Sequence, residues 1–390
     1  MPSGDDGPGP LDGVRVVELA QWVAGPSAAG IMADWGADVV KVEPPGGDPQ
    51  RAVFGAVGVR GDIPVPPFEV DNRGKRSIVL DLRGDDVDHL HALLATADVM
   101  VTNIRPGALE RLGLDHDSLA GRYPRLVYGA ITGYGLDGDD RDRAGYDVGA
   151  YWARSGLAHT MVPPGRLPPG LRSGMGDHQT GMTLVAGVMA KLFERERTGR
   201  GGFVATSLLR TGMYSIAWDM GIHLRFGRRQ STRPRERNPA PLINCYRAGD
   251  DLDFWLICLE ADRHWPKVLA AIDHPELADD SRYETAQLRN EHCEPLIAEL
   301  DAVFATRPRS EWGERFDEHD VWWAPIQSIA DVINDPQTQP GFVDMVPDEG
   351  GEPYRAVATP VDFGGHVHRP GPVPHLGEHT AEVLGELGDG

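Results

Sequence analysis

Two runs rich in β-branched residues, Val14–Leu19 and Ala37–Val42, flank a segment, Pro26–Trp35, that reads as a helix with Pro26 near its first turn. Strand, helix and strand in that order make a β-α-β unit, which implies a parallel sheet. Ser77–Leu82, Val99–Asn103 and Leu126–Ile131 read as further strands. Asp85–Thr96 and the segment from Leu109 to about Leu119 supply crossover helices. Residues 1–220 therefore predict a doubly wound α/β layer, whose ligands bind beyond the carboxyl ends of the strands.

A chain of 390 residues has room for two domains. The Arg- and Pro-dense stretch Arg225–Pro241 reads as a linker. Beyond it come a strand, Phe254–Leu259, and helices near Trp265–Ile272, Glu291–Phe304 and Arg309–Glu318, which make a smaller α+β unit. A second Pro/Gly-rich stretch, Pro336–Pro353, leads to a C-terminal helix within Pro374–Gly388. The expected divisions are thus 1–224, 225–335 and 336–390.

A net charge of −21 argues against nucleic-acid or anionic-membrane partners. Lysine occurs only at 41, 75, 191 and 267, so the positive charge is almost all arginine, a residue suited to phosphate. Three cysteines without metal-ligand spacing point to a reducing, cytoplasmic compartment. Residues 1–10 lack the apolar core of a signal peptide, and no apolar run reaches membrane-spanning length. The fourteen histidines are read as holding no metal site.

The turn after the first strand, Ala20–Pro26, carries one glycine where a dinucleotide fingerprint wants three, so nicotinamide chemistry has weak support. Lys75, Arg76, Arg83, Arg105 and Arg111 lie near strand ends or helix starts; together they suit a phosphate-bearing ligand, singly they are ordinary solvated charges. Asp177 follows Gly176 where an apolar helical spacing opens, with Met182, Val185, Val188, Met189, Leu192 and Phe193 on one face and Thr198-Gly199 at its end. From the residues alone Asp177 is either an N-cap or a nucleophile at a helix start, with Gly176 leaving room for substrate. Asp147, after Gly145-Tyr146, is a turn or cap carboxylate of the same kind.

The order of motifs is distinctive. Leu11–Leu19, Ala24-Gly25-Pro26 and Gly36–Glu43 come first; Asn72-Arg73-Gly74-Lys75-Arg76-Ser77 and Asn103-Ile104-Arg105-Pro106-Gly107 follow. Gly145-Tyr146-Asp147, Gly176-Asp177, Thr198-Gly199-Arg200-Gly201 and Leu376-Gly377-Glu378-His379-Thr380 complete the set. From about residue 11 to 384 the chain resembles the class III CoA-transferases, a family that includes formyl-CoA transferase, carnitine CoA-transferase and α-methylacyl-CoA racemase.

The resemblance implies a Rossmann-like large domain with a parallel sheet, a small α+β domain, and two ring-shaped chains interlocked as a homodimer. It implies CoA transfer from an acyl-CoA to a carboxylic acid, with acyl-CoA as substrate and no permanently bound cofactor. Asp177 becomes the nucleophile, passing through an acyl-aspartyl anhydride and an aspartyl-CoA thioester, and Asp147 orients the site. The family's racemase has a histidine where this chain has Tyr146, a poor base for an α-proton, so transfer is favoured over racemisation. An acyl-CoA racemase and a non-catalytic acyl-CoA-binding protein are the alternatives. Leu80, Arg83, Asn103 and Arg111 fall where relatives contact the nucleotide, with Lys75, Ile104, Arg105, Trp22 and Val23 beside them. Val23 replaces a glutamine of the formyl-CoA enzyme, and Arg237–Pro241 replaces its run of glycines. With Trp22, Tyr151 and Trp152 nearby, Val23 points to a larger or more apolar acyl group than formate or oxalate.

Overall fold

The computed structural model describes residues 9–56, 58–59, 63–228, 231–346, 352–364 and 370–388. The chain forms two compact units: Met1–His159, Pro169–Arg229 and Pro340–Gly390 make the larger, and Thr160–Pro168 with Gln230–Gln339 the smaller.

The larger unit is built on a six-stranded sheet: β1 (Arg15–Leu19), β2 (Asp38–Glu43), β3 (Arg76–Val79), β4 (Val99–Thr102), β5 (Val127–Thr132) and β6 (Gly202–Ser207). The order is β3-β2-β1-β4-β5-β6 and every pairing is parallel. Successive side chains on a strand point to opposite faces, so a sheet covered on both sides needs apolar residues at every position. The strands largely meet that demand, the exceptions being the buried charges Glu18, Lys41 and Glu43 near the carboxyl ends of β1 and β2. Val16, Val39, Val99, Val101 and Val127 pack on one face with Ala28, Met32, Leu184 and Val188. Val17, Val40, Ile78, Met100 and Tyr128 pack on the other with Leu90, Leu93 and Leu109.

The helix after β1 spans Ala24–Asp34, and the long helix spans Met175–Thr198, ending on left-handed Gly199. A Cβ on Gly181 would stand 2.3 Å from the Ser27 hydroxyl, so the absence of a side chain lets these two helices meet closely. Met182, Val185, Val188, Met189 and Leu192 face the core as their spacing predicts. Phe193 does not; it is exposed, with the Arg197 guanidinium 4.5 Å over its ring.

The expected strands are present with ends shifted by one to three residues, while β6 has no counterpart in the sequence reading. The segment from Leu109 onward is two helices, Pro106–Leu112 and His116–Ala120, broken at left-handed Gly113. The smaller unit pairs Ile243–Arg247, Asp253–Ile257 and Trp323–Pro325 as an antiparallel sheet. Its core is aromatic: Tyr246, Phe254, Phe304, Trp312 and Phe316 are all buried.

Both Pro-rich stretches carry structure. Helix Ala217–Phe226 runs into the first, and the second contains strand Phe342–Met345, paired with Tyr354–Val357. Residues 229–230 and 347–351 of these stretches lie outside the described residues, as do residues 1–8 of the segment read as no signal peptide. Among the described residues no helix is long and apolar enough to cross a membrane.

Candidate active site

Strand order reverses between β1 and β4, and the loops that leave their carboxyl ends diverge there into a crevice. The turn after β1 is held from both sides. Asn103, just past β4, accepts the Gln21 N–H at 3.0 Å and donates to the Gln21 carbonyl at 2.6 Å. Asp48 accepts the Trp22 N–H at 3.0 Å. Between these clamps Trp22 adopts a φ of 64°, a left-handed conformation costly for a bulky side chain.

Asp48 belongs to a buried ionic network. Lys41 reaches Asp48 at 2.8 Å and Glu18 at 2.7 Å, and Lys75 reaches the other Glu18 oxygen at 2.6 Å. Lys75 also donates to Asn72 and to the Pro26 carbonyl, so its ammonium is fully bonded inside the unit. This corrects its expected place beside a ligand: the charge is spent on the frame of the β1 turn.

Asp177 is the third residue of the long helix, not its N-cap; the cap is Gly174, whose φ of 79° a side chain would resist. The capping function passes to Asp147, whose carboxylate accepts the Val148 N–H at 2.7 Å and the Gly176 N–H at 3.4 Å. Asp147 thereby starts a π-helical turn, Val148–Ala153, and docks it on the start of the long helix. Nor does Gly176 leave room for substrate. A Cβ there would lie 2.5 Å from the Tyr151 ring, which fills the space and anchors its hydroxyl on Gln179 at 2.7 Å.

No hydrogen-bond donor among the described residues reaches the Asp177 carboxylate. Burial, then the nearby Asp147 and Asp71 carboxylates, push it up to about 7, against the opposing influence of His178. Its ionised form is thus unusually basic and its lone pairs are unclaimed, which suits a nucleophile.

Asp177 opens onto a cleft of about 2040 Å³, lined by residues of the larger unit. Its lining includes arginines: Arg83, Arg105, Arg141 and Arg143 from loops after β3, β4 and β5, and Arg111 from helix Pro106–Leu112, with Arg141 paired to Glu110 and Arg143 to Asp140. It also includes the apolar side chains of Ile31, Val53, Phe54, Pro66, Val70 and Met182. Trp22 and Tyr146 meet edge to face in the same cleft, with ring centroids 5.7 Å apart.

Of the residues singled out from sequence, Trp22, Val23, Arg83, Asn103, Ile104, Arg105, Arg111, Tyr146, Asp147 and Asp177 line this cleft. Asn103 does so with its amide committed to the turn. Leu80 is buried in the core, and Arg76 pairs with Asp38 and Glu386. Tyr151 and Trp152 are buried behind the cleft, so they do not shape an acyl pocket directly. Arg237–Pro241 is a tied turn, with Asn238 donating to the Ile243 carbonyl at 2.7 Å and accepting the Ala240 N–H.

The sequence reading passed over His178, Asp71, Arg141, Arg143 and these apolar side chains. His178 was the most legible of these, since it follows Asp177 directly. His375 and His379 stand four apart, a spacing seen in metal sites, and the sequence reading overlooked the pair. Here His379 Nδ1 faces the Ser77 N–H at 3.3 Å. Among the described residues no group of three or more His, Cys, Asp or Glu is placed to hold a metal ion.

The cleft thus brings a helix-start carboxylate of raised basicity together with arginine and apolar side chains, a set of groups suited to an acyl substrate that bears phosphate. The chain belongs to CoA-transferase family III, whose pattern it matches over residues 11–380. It is an enzyme of the acyl-CoA:carboxylate CoA-transferase class. It is 33% identical to (R)-2-hydroxy-4-methylpentanoate CoA-transferase of Clostridioides difficile, over 97% of this chain and 95% of that one. It is equally 33% identical to cinnamoyl-CoA:phenyllactate CoA-transferase of Clostridium sporogenes, covering 97% and 93%. Among solved structures, a CAIB/BAIF family protein from Brucella suis superposes with a TM-score of 0.85 at 30% identity, covering 98% and 100%.

Proposed function

We propose that Asp177 carries the acyl and CoA groups in turn during transfer between two carboxylic acids. Its carboxylate oxygen attacks the thioester carbonyl; the C–S bond breaks and its electron pair leaves on sulfur as CoA thiolate. The thiolate returns to the Asp177 carbonyl of the anhydride, frees the donor acid as a carboxylate, and leaves an aspartyl-CoA thioester. The acceptor carboxylate attacks that thioester, expels thiolate again, and the thiolate takes the new acyl group from Asp177. Each step exchanges one bond at a carbonyl carbon, as nucleophilic catalysis requires.

The observation that carries this reading is the half-buried Asp177 carboxylate, which no donor among the described residues reaches, in a cleft that also holds arginines and apolar side chains. Arg83, Arg105 and Arg111 take the CoA phosphates, and Trp22, Val23 and Ile104 flank the pantetheine end. Asn103 acts by shaping the β1 turn, and Lys75 and Leu80 act from behind. The apolar side chains of Ile31, Val53, Phe54 and Val70 favour monocarboxylic acids with a branched or aromatic body. The relatives named for 2-hydroxy-4-methylpentanoate and phenyllactate support that class. The working enzyme is a cytoplasmic homodimer of interlocked rings, divided near residues 224 and 336.

The test is chemical capture. Hydroxylamine or borohydride added during turnover should modify Asp177, as read by peptide mass spectrometry, and Asp177→Ala should lose transfer while remaining folded. Full transfer by Asp177→Ala sinks the proposal. Deuterium uptake at the α-carbon of 2-methylacyl-CoA, without exchange of CoA between acids, is the result that favours a racemase.

A further inference from the structure

The helix neighbour of Asp177 is tied into the interior. His178 directs Nε2 onto Oδ1 of Asp71 at 3.0 Å. Asp71 lies on helix Pro66–Asn72 and is 2% exposed. Its other oxygen accepts the Gln50 side-chain amide at 3.2 Å. The Gln50 backbone N–H is held in turn by Asp48, the carboxylate that fixes Trp22. One run of hydrogen bonds thus connects the strained turn facing substrate to the imidazole beside the nucleophile. The imidazole itself is half-exposed and lines the cleft, and its Nδ1 has no partner among the described residues.

The charged groups that act on His178 come from three elements: Asp71 from its helix, Asp147 from the start of the π-helical turn, and Asp177 from its own helix. Three carboxylates therefore surround one imidazole. Without a cation among them, an ionised Asp177 would face two like charges in a partly desolvated site.

Building on Asp177 as nucleophile, we propose that His178 is a positioning residue: Asp71 holds its ring in place as an imidazolium, whose charge keeps Asp177 ionised for attack. No proton moves in the attack. The Asp177 oxygen bonds the carbonyl carbon, the C–S bond breaks, and the electron pair goes to sulfur, so His178 acts through its charge alone. Two effects on ionisation agree with the geometry. The hydrogen bond to Asp71 first, then the surrounding carboxylates, push His178 up from its ordinary value, and His178 in turn pulls Asp177 down.

The experiment follows formation of the covalent Asp177 adduct in a single turnover, by rapid quench and intact mass, between about pH 5.5 and 9. Removing a positive neighbour makes a carboxylate harder to ionise. His178→Gln, which keeps a donor for Asp71 but no charge, should therefore move the acid limb to higher pH by about one unit. The rate at pH 6 then falls about tenfold while the rate at pH 9 stays near wild type. His178→Asn, equally uncharged and still able to donate, leaves the Asp71 charge in place, should move the limb the same way, and carries the comparison if His178→Gln is misfolded by circular dichroism. An acid limb unmoved in both variants overturns the proposal, whether or not the rate drops evenly at every pH. An adduct that still forms in Asp177→Ala overturns the nucleophile reading instead, so the two failures are told apart.

Discussion

An aspartate near pH 7 in its ionisation sits in tension with its own fold. Burial pushes Asp177 up to about 7, whereas an unfolded chain ionises the same group near 4. Above pH 7 the folded protein carries a charge that the unfolded chain holds at lower cost; below about pH 4 both states are neutral and the difference vanishes. Asp177→Asn should therefore stabilise the protein at pH 8 by on the order of 3 kcal/mol, with the gain shrinking as pH falls through 7 toward 4. Urea unfolding of both proteins at pH 8 and pH 5 measures it, and an equal gain at the two values would refute the electrostatic cause. The same ionisation governs catalysis, so kcat/KM should drop tenfold per unit below about pH 7. Among the cleft arginines, Arg83→Ala and Arg111→Ala should each weaken CoA about tenfold, as loss of a charge-assisted contact does. Unchanged calorimetric affinity in both removes them from the site. At this scale the chain spoke unevenly. The place of Asp177 and Asp147 in the cleft was legible through their motifs, while Lys75 was misjudged because a basic residue beside a ligand-binding edge looks the same whether its charge faces out or in.

Helices and strands explain where those residues end up. The parallel sheet was legible because strands buried on both faces read as apolar runs, as in Val99–Val101 and, interrupted only by Lys41, Val39–Val42. Strand β6 was not: Gly202–Ser207 lies at the sheet edge, is mostly half-buried, and mixes glycine, threonine and serine into its run. The long helix was legible from its spacing, yet its N-terminus was not, because the cap comes from Asp147, 27 residues before Gly174. The close crossing of Ala24–Asp34 and Met175–Thr198 carries a prediction of its own. Gly181→Ala places a methyl 2.3 Å from the Ser27 hydroxyl and 3.1 Å from the Ala24 carbonyl, so the helices must part. Overpacking of this kind costs about 1–3 kcal/mol, and the shift carries Asp177 with it, so both stability and kcat should fall. Gly385→Ala, in the C-terminal helix where nothing lies within 4 Å of the added methyl, is the control and should be neutral or mildly stabilising. Equal behaviour of the two variants in denaturant melts would remove the crossing as the cause.

At the scale of the molecule, several of the large exposed apolar side chains among the described residues fall on two successive helices of the larger unit, Leu208–Ser215 and Ala217–Phe226. Tyr214, Trp218, Leu224 and Phe226 are all at least 69% exposed there. Exposed apolar side chains gathered on neighbouring helices suit an interaction face, and the homodimer proposed above would cover them. The chain leaves the larger unit near Arg229 and returns to it at Pro340; the interlocked dimer proposed above requires this path to close each chain into a loop. If two such loops are threaded, separation requires that one of them open, so dissociation is coupled to unfolding. Light scattering on a size-exclusion column should then give the mass of two chains across a hundredfold dilution into the nanomolar range. Folded monomer appearing on dilution would exclude threading. Trp218→Glu with Leu224→Glu tests the face separately: charge buried against the partner should lower the unfolding midpoint and yield aggregated or unfolded chain, with no native monomer. A dimer of unchanged stability in that double variant would place the contact elsewhere on the surface.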